Sequence, residues 1–502
     1  MGKPNILHIF TDQQRFDTIC ALGNPIIRTP NLDRLCREGT VFTQAFTPSP
    51  VCVSGRCSMI FGQYPASTNC FANHDMPTDG RETFMTALTR SGYNTHSIGK
   101  CHFTPDPTEM RGFVSRQRTE GWISDIEKNE YKKYLRDAGQ GHIMHALGIR
   151  GEMYYIPQAS QMPIEHHITQ WTADESIRFV EENSSGDSPW YLFSSFDDPH
   201  PPFEPPNPWH QLYSPMQMPL PTVPEDAEAH LTWINHFQNR YKCRDKGTDT
   251  YLLRCMKAYY YASISFVDYQ VGRMLETLEK TGQLDNTLVL FTADHGEYLG
   301  DFNCFGKRSM HDVSARVPLI CRLPGRFEGG ARVDEPANLV DLAPTFLALA
   351  DAKMQSHDPE GVDLAELANG TAQRDTVFSQ YGRADHAIYM AVCNRWKYFY
   401  SAADRKEFLF DRLEDPQELR NRASLVQCQD AKTEMRQRLM NHLRQCGDTS
   451  GLDGEKWKLF DGIKLGDEWK WWPLNTPDEF YKDPDSTMLT SITPKLGLEG
   501  YE

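Results

Sequence analysis

Four stretches of the chain each set carboxylate, imidazole or ammonium groups just past an apolar run. Asp12 follows "NILHIFT", and Lys100 and His102 follow "NTHSIG". Asp197, Asp198 and His200 follow "WYLFSSF", and Asp294 and His295 follow "TLVLFTA". Asp is a common cap and turn residue, so one such case carries little weight. Four together point to one shared site. Asp12, Asp294 and His295 offer hard oxygen donors and an imidazole, a set suited to Ca²⁺, Mg²⁺ or Mn²⁺ rather than to a thiolate zinc site. Lys100, Lys307, Arg56 and His200 are cationic or can become so. A divalent cation ringed by such groups describes a pocket for a tetrahedral oxyanion.

A fifth stretch, "SPVCVSGRCSMIFGQYP" (Ser49–Pro65), places Cys52 at the mouth of a helix with Arg56 one turn further on. Each of these residues also has a plain structural reading. A lone cysteine is usually core packing. Asp12 could cap a helix, Lys307 could be a solvated surface lysine, and His200 could shape a proline-rich loop. Cys57 and Cys101 read as buried thiols, and Asn73 and His74 as a polar loop or a pocket wall.

Elements that could hold such a site follow from the hydrophobic pattern. "NILHIF", "NTHSIG", "WYLFSSF", "TLVLFT" and "PLICRL" read as short buried strands. They alternate with helical patterns at Thr29–Gly39, "TFMTALTRSGY", "ITQWTADESIRFVEEN", Tyr251–Lys280 and "LVDLAPTFLALA". That alternation predicts an α/β fold, a mostly parallel central sheet with helices on both faces. Ligands in such sheets bind beyond the carboxyl ends of the strands, where the residues above fall.

Near residue 370 the texture changes. "AIYMAVC", "RWKYFY" and "EFLFD" sit at hairpin spacing before a helix, "AKTEMRQRLMNHLRQ". The expected organisation is a catalytic α/β domain over residues 1–370, a smaller C-terminal α+β subdomain over 371–446, and an irregular tail over 447–502. The tail carries Trp469, Trp471 and Trp472 and is read as wrapping the body or a second copy, which would make a homo-oligomer.

Composition narrows the partners. With 39% hydrophobic and 24% charged residues, the 502-residue chain is an ordinary globular one. Its formal charge of -16 argues against nucleic acid, which needs a basic face. A local cationic pocket can still take a small anion. No signal peptide, membrane span or myristoylation site is expected from the sequence. Thirteen cysteines without a CxxC pair fit a reduced, cytoplasmic home.

Taken together, Cys52, Arg56, Gly62, Tyr64 and Pro65 resemble the signature of the type I sulfatases, a branch of the alkaline phosphatase-like superfamily. "PNILHIFTDQQR", "GKCHF", "DDPHPPF", "TADHGEYLGDFNCFGKRSMHDVSARVPLI" and "FLFDRLEDPQELRN" resemble further family segments in the same order, over about residues 4 to 425. The resemblance implies a sulfuric ester hydrolase in which a maturation enzyme oxidises Cys52 to formylglycine. The hydrated aldehyde then acts as the covalent nucleophile. It implies catalytic roles for Cys52, Arg56, Lys100, His102, His200 and Lys307. It also implies one divalent cation, Ca²⁺ foremost with Mn²⁺ or Mg²⁺ as alternatives, on Asp12, Gln13, Cys52, Asp294 and His295. The substrate would be a small sulfate ester such as a sulfated sugar. Ser54 and Gly55 stand where the family usually has Pro and Ser; Ser is close to Ala in size, and modification is still expected. Gln13 and His295 stand where Asp and Asn are usual. That pattern is similar to phosphonate monoester hydrolases and choline sulfatases, so phosphonate monoester or phosphodiester hydrolysis is the alternative. A non-catalytic relative with unmodified Cys52 is a further one.

Overall fold

The computed structural model describes residues 3–120, 125–186, 188–242, 244 and 247–463. Trp469, Trp471 and Trp472 lie outside the described residues.

Eight strands build the main sheet: β1 (Asn5–Thr11), β2 (Thr40–Phe42), β3 (Asn94–Gly99), β4 (Ser115–Arg118), β5 (Trp190–Phe196), β6 (Thr287–Ala293), β7 (Leu319–Arg322) and β8 (Arg332–Val333). Their spatial order is β4-β3-β5-β1-β6-β7-β2-β8. β1 sits at the centre, parallel to β5 on one side and β6 on the other. β3 and β4 extend the parallel array beyond β5. β7 is antiparallel to both of its neighbours, so it alone runs against the rest. β1, β5 and β6 are buried along their whole length, as expected of strands covered on both faces.

Helices Phe84–Arg90 and Leu342–Ala350 cover one face, where Phe84, Leu88 and Phe346 join Phe10, Tyr191 and Leu290. Helices Pro30–Glu38, Ile168–Glu182 and the 31-residue Thr250–Lys280 cover the other, with Trp171, Val267 and Val271 against Leu7, Ile9 and Leu192. The fold is therefore the expected mostly parallel sheet between two helical layers.

Four antiparallel strands form a second sheet in sequence order: β9 (Val377–Tyr381), β10 (Ile388–Val392), β11 (Trp396–Ser401) and β12 (Lys406–Asp411). Helix Gln429–Gln445 packs its buried Met435, Leu439 and Leu443 on one face of this sheet. The other face, through Phe399, Phe408 and Phe410, meets Phe46, Val51 and Met310 from the segments around the Cys52 helix and Lys307. Within residues 447–463, Leu452–Asp453 pairs with Lys456–Trp457 as a short hairpin, and Trp457 stacks 4.3 Å from the ring of Tyr400.

Candidate active site

Helix Cys52–Phe61 starts on Cys52, with its preceding residue Val51 extended. Its first turn is closed by Asn73, whose side-chain oxygen accepts from Val53 N–H at 3.0 Å. Asn73 is thus a helix cap. At the far end Gly62 adopts a left-handed φ of 64°, where a side chain would also meet Ala343. The helix is buried throughout, and Cys52 sits under the ends of the central strands.

β1, β3 and β6 bring the other groups to the same edge. Asp12, Cys52, Asp294 and His295 are fully or almost fully buried, and their ligand atoms all lie within 4.8 Å of one another. Cys52 Sγ is 3.2 Å from His295 Nε2 and 3.7 Å from an Asp12 oxygen. Lys307 Nζ donates to Cys52 Sγ at 3.1 Å and to Gln13 Oε1 at 2.6 Å. Lys100 Nζ stands 2.7 Å from Asp12 Oδ2. Burial and Asp12 push the Cys52 thiol up, but Lys307, His295 and Lys100 outweigh them and hold it well below the ordinary thiol range. The Asp-His-Gly turn is enforced sterically, because a Cβ on Gly296 would fall 2.0 Å from the Val313 carbonyl oxygen.

The hydrogen bonds of Arg56 go to the two carboxylates and to the neighbouring strand ends. Nε donates to Asp294 Oδ2 at 3.0 Å and Nη2 to Asp12 Oδ2 at 3.2 Å. Nη1 donates to the Lys100 carbonyl and to Ser195 Oγ. The guanidinium holds the two carboxylates at a fixed separation and ties the Lys100 backbone to them. Burial opposes ionisation of Asp12, and Lys100, His200, Arg56 and Lys307 overcome it, holding that carboxyl well below its usual range. Asp294 goes the other way: burial and the Asp12 charge raise it. Two carboxylates that repel each other, an imidazole nitrogen and the Gln13 carbonyl oxygen are a donor set that a hard divalent cation would satisfy.

The two histidines differ. His102 has a left-handed φ of 57°, and its N–H and that of Cys101 donate to Glu120. Burial lowers its ring pKa, against a hydrogen bond with Cys52. His200 is half-buried; Nδ1 is 2.7 Å from the Pro201 carbonyl and Nε2 is 3.5 Å from Tyr154 OH. Burial and then Lys307 depress it well below the usual imidazole range, with Asp12 opposing.

Asp197 and Asp198 do not join the ligand cluster among the described residues. They accept from the hydroxyls of Thr119 (2.9 Å) and Thr169 (2.6 Å). Three residues that the sequence patterns do not single out support the site: Glu297, which follows the Asp-His-Gly turn, Glu120 behind His102, and Tyr155 beside Gln13.

The α/β fold gathers at its strand ends a group of side chains that could hold a metal ion, with Lys100 and Lys307 beside it. The sulfatase family model matches residues 4–352, and a model for the C-terminal region of N-sulphoglucosamine sulphohydrolase matches residues 300–445. The chain belongs to the sulfatase family and is a sulfuric ester hydrolase. It is 29% identical to an arylsulfatase of Clostridium perfringens, across 89% of this chain and 96% of that protein. It is also 29% identical to a choline-sulfatase of Rhizobium meliloti, across 84% and 83%. A phosphonate monoester hydrolase of Agrobacterium radiobacter shares the fold, with a TM-score of 0.75 at 24% identity over 89% of this chain and 97% of that one.

Proposed function

We propose that the chain cleaves small sulfate monoesters at position 52, after a maturation enzyme has converted Cys52 to formylglycine. The observation that carries this reading is the meeting at Cys52 Sγ of Lys307, His295 and Asp12. A buried structural cysteine does not need such neighbours. The aldehyde hydrate would supply one hydroxyl to bond to sulfur as the S–O bond to the alcohol breaks. Loss of the proton from its second hydroxyl would then expel sulfate and restore the aldehyde. A divalent cation on Asp12, Gln13, Asp294 and His295, Ca²⁺ before Mn²⁺ or Mg²⁺, would balance charge on the sulfate oxygens.

The chain's own residues divide the remaining work. Lys100, on Asp12, and Lys307, on Cys52 and Gln13, reach the same cluster and bind the non-bridging oxygens. Arg56 fixes the carboxylates. His102 touches position 52 and serves the second hydroxyl as its proton acceptor. His200 stands on a separate loop and protonates the leaving alcohol. The names of the two relatives, arylsulfatase and choline-sulfatase, support trying aryl and small alkyl sulfates first, with sulfated sugars beside them. We take the compartment to be cytoplasmic on the cysteine pattern alone. Among the described residues no helix is long and apolar enough to cross a membrane.

The test is a turnover screen of matured protein against aryl, alkyl and sugar sulfates, a phosphonate monoester and a phosphodiester. Sulfate esters should give the highest kcat/KM. Preference for the phosphonate monoester would replace the substrate assignment.

A further inference from the structure

Glu297 is fully buried two residues beyond His295. Both oxygens of its carboxyl group act as acceptors, and from different parts of the chain. Oε1 takes Leu299 N–H at 2.9 Å and Gly306 N–H at 2.7 Å. Oε2 takes Tyr155 OH at 2.6 Å and the Nε2 amide of Gln13. The loop it holds is costly to form: Leu299, Phe302, Asn303 and Arg308 all have left-handed φ values. That loop delivers Lys307.

The amide of Gln13 therefore has one workable orientation. Its Nε2 meets an acceptor, Glu297, and its Oε1 meets a donor, Lys307 Nζ at 2.6 Å. The backbone helps, since Gln13 has a left-handed φ of 68° and its N–H donates to Asp294 Oδ1 at 2.9 Å. A carboxylate at position 13 would present oxygen either way. An amide presents oxygen only if something holds its nitrogen end.

We propose that Glu297 is a positioning residue that orients the Gln13 amide, so that Oε1 faces the cation site and Lys307. This rests on the reading of Gln13 as part of the cation site. In Glu297→Gln, the new side-chain NH₂ must face either the Leu299 and Gly306 N–H groups or the Nε2 amide of Gln13, since Tyr155 OH can turn to accept. The relief open to it is rotation of the Gln13 amide, which turns NH₂ toward Lys307 and the cation. In a Glu297→Gln/Gln13→Asp double variant that conflict disappears, because a carboxylate at position 13 has no nitrogen end.

The experiment is calorimetric titration of the matured wild type, both single variants and the double variant with Ca²⁺. Kinetics run in parallel. Outer partners of metal ligands typically govern roughly 10–100-fold in affinity. Glu297→Gln should therefore weaken Ca²⁺ binding by at least about tenfold. The double variant should return to within about threefold of Gln13→Asp alone. If Glu297→Gln does not fold, recovery of a folded, Ca²⁺-binding double variant supports the proposal equally. Unchanged affinity in Glu297→Gln, or a double variant as impaired as that single one, overturns the proposal. Absence of Ca²⁺, Mn²⁺ and Mg²⁺ binding in the wild type would instead overturn the cation site itself.

Discussion

His200 is held in the neutral form by burial and by Lys307 and Lys100, despite the pull of Asp12. A bound sulfate ester brings negative charge next to those cations and reverses part of that push, which is when an acid is needed. The consequence depends on the leaving group. Nitrophenolate departs without a proton, whereas an alkoxide needs one. His200→Ala should lower kcat/KM on alkyl or sugar sulfates by about 10²–10⁴-fold and leave nitrophenyl sulfate nearly unchanged. Lys307→Ala should lower both. Equal losses on both substrates for His200→Ala would make it a binding residue only. Asp12, Lys100, Asp294 and His295 were legible in the sequence because the strand-end rule needs only an apolar run followed by polar groups. Glu297 was not legible. Its role depends on donors arriving from residues 13, 155, 299 and 306, and no local pattern announces them.

Strand β1 carries both the site and a titratable weak point. His8 is fully buried beside Phe10, Phe193 and Phe346, with Tyr191 OH 3.0 Å from Nδ1. Burial, then Arg56, lowers its pKa to about 3. A histidine with a depressed folded pKa contributes stability that is complete above its unfolded value near 6.5 and is lost as pH falls toward 3. At pH 5 that loss amounts to about 2 kcal/mol. His8→Phe keeps the ring and abolishes this dependence. The gap in Tm between pH 7.5 and 5 should be smaller in the variant, and an equal or larger gap would refute the assignment. The joint between the two sheets makes a second element-scale prediction. Lys397 on β11 is fully buried, 2.7 Å from both Asp312 and Glu418, and Arg412 also reaches Asp312. Asp312 opens the short helix that follows the Lys307 loop. Removing one member of a buried ion group typically costs about 3–5 kcal/mol. Lys397→Met should therefore destabilise the fold by a comparable amount in a denaturant titration, and a loss below about 1 kcal/mol would mean that the aromatic contacts carry the joint. The long strands and helices were visible as apolar runs of normal length. The short β2, β4 and β8 were not: "SRQR" of β4 has no apolar alternation, and β8 has two residues. Their pairing comes from neighbouring strands that lie far away in sequence.

Across the whole molecule, the parallel α/β order followed from the alternation of elements, but the direction of β7 did not, because a strand as short as "LICR" reads the same both ways. In the same architecture a divalent cation bound at this group would act as a structural tie. Asp12 and Asp294 leave the ends of adjacent central strands, and Cys52 begins the helix beneath them. Chelation of the divalent cation should lower Tm, and stability should rise again with added Ca²⁺ as RT ln(1 + [Ca²⁺]/Kd). A Tm that ignores chelator would place the cation outside this tie. If catalysis belongs to a modified Cys52, the intact and peptide masses of active protein will show it. The Cys52 peptide should carry an aldehyde in place of the thiol, in a fraction that scales with specific activity across preparations made with and without the maturation enzyme. Full activity in protein whose Cys52 is wholly an unmodified thiol would contradict it.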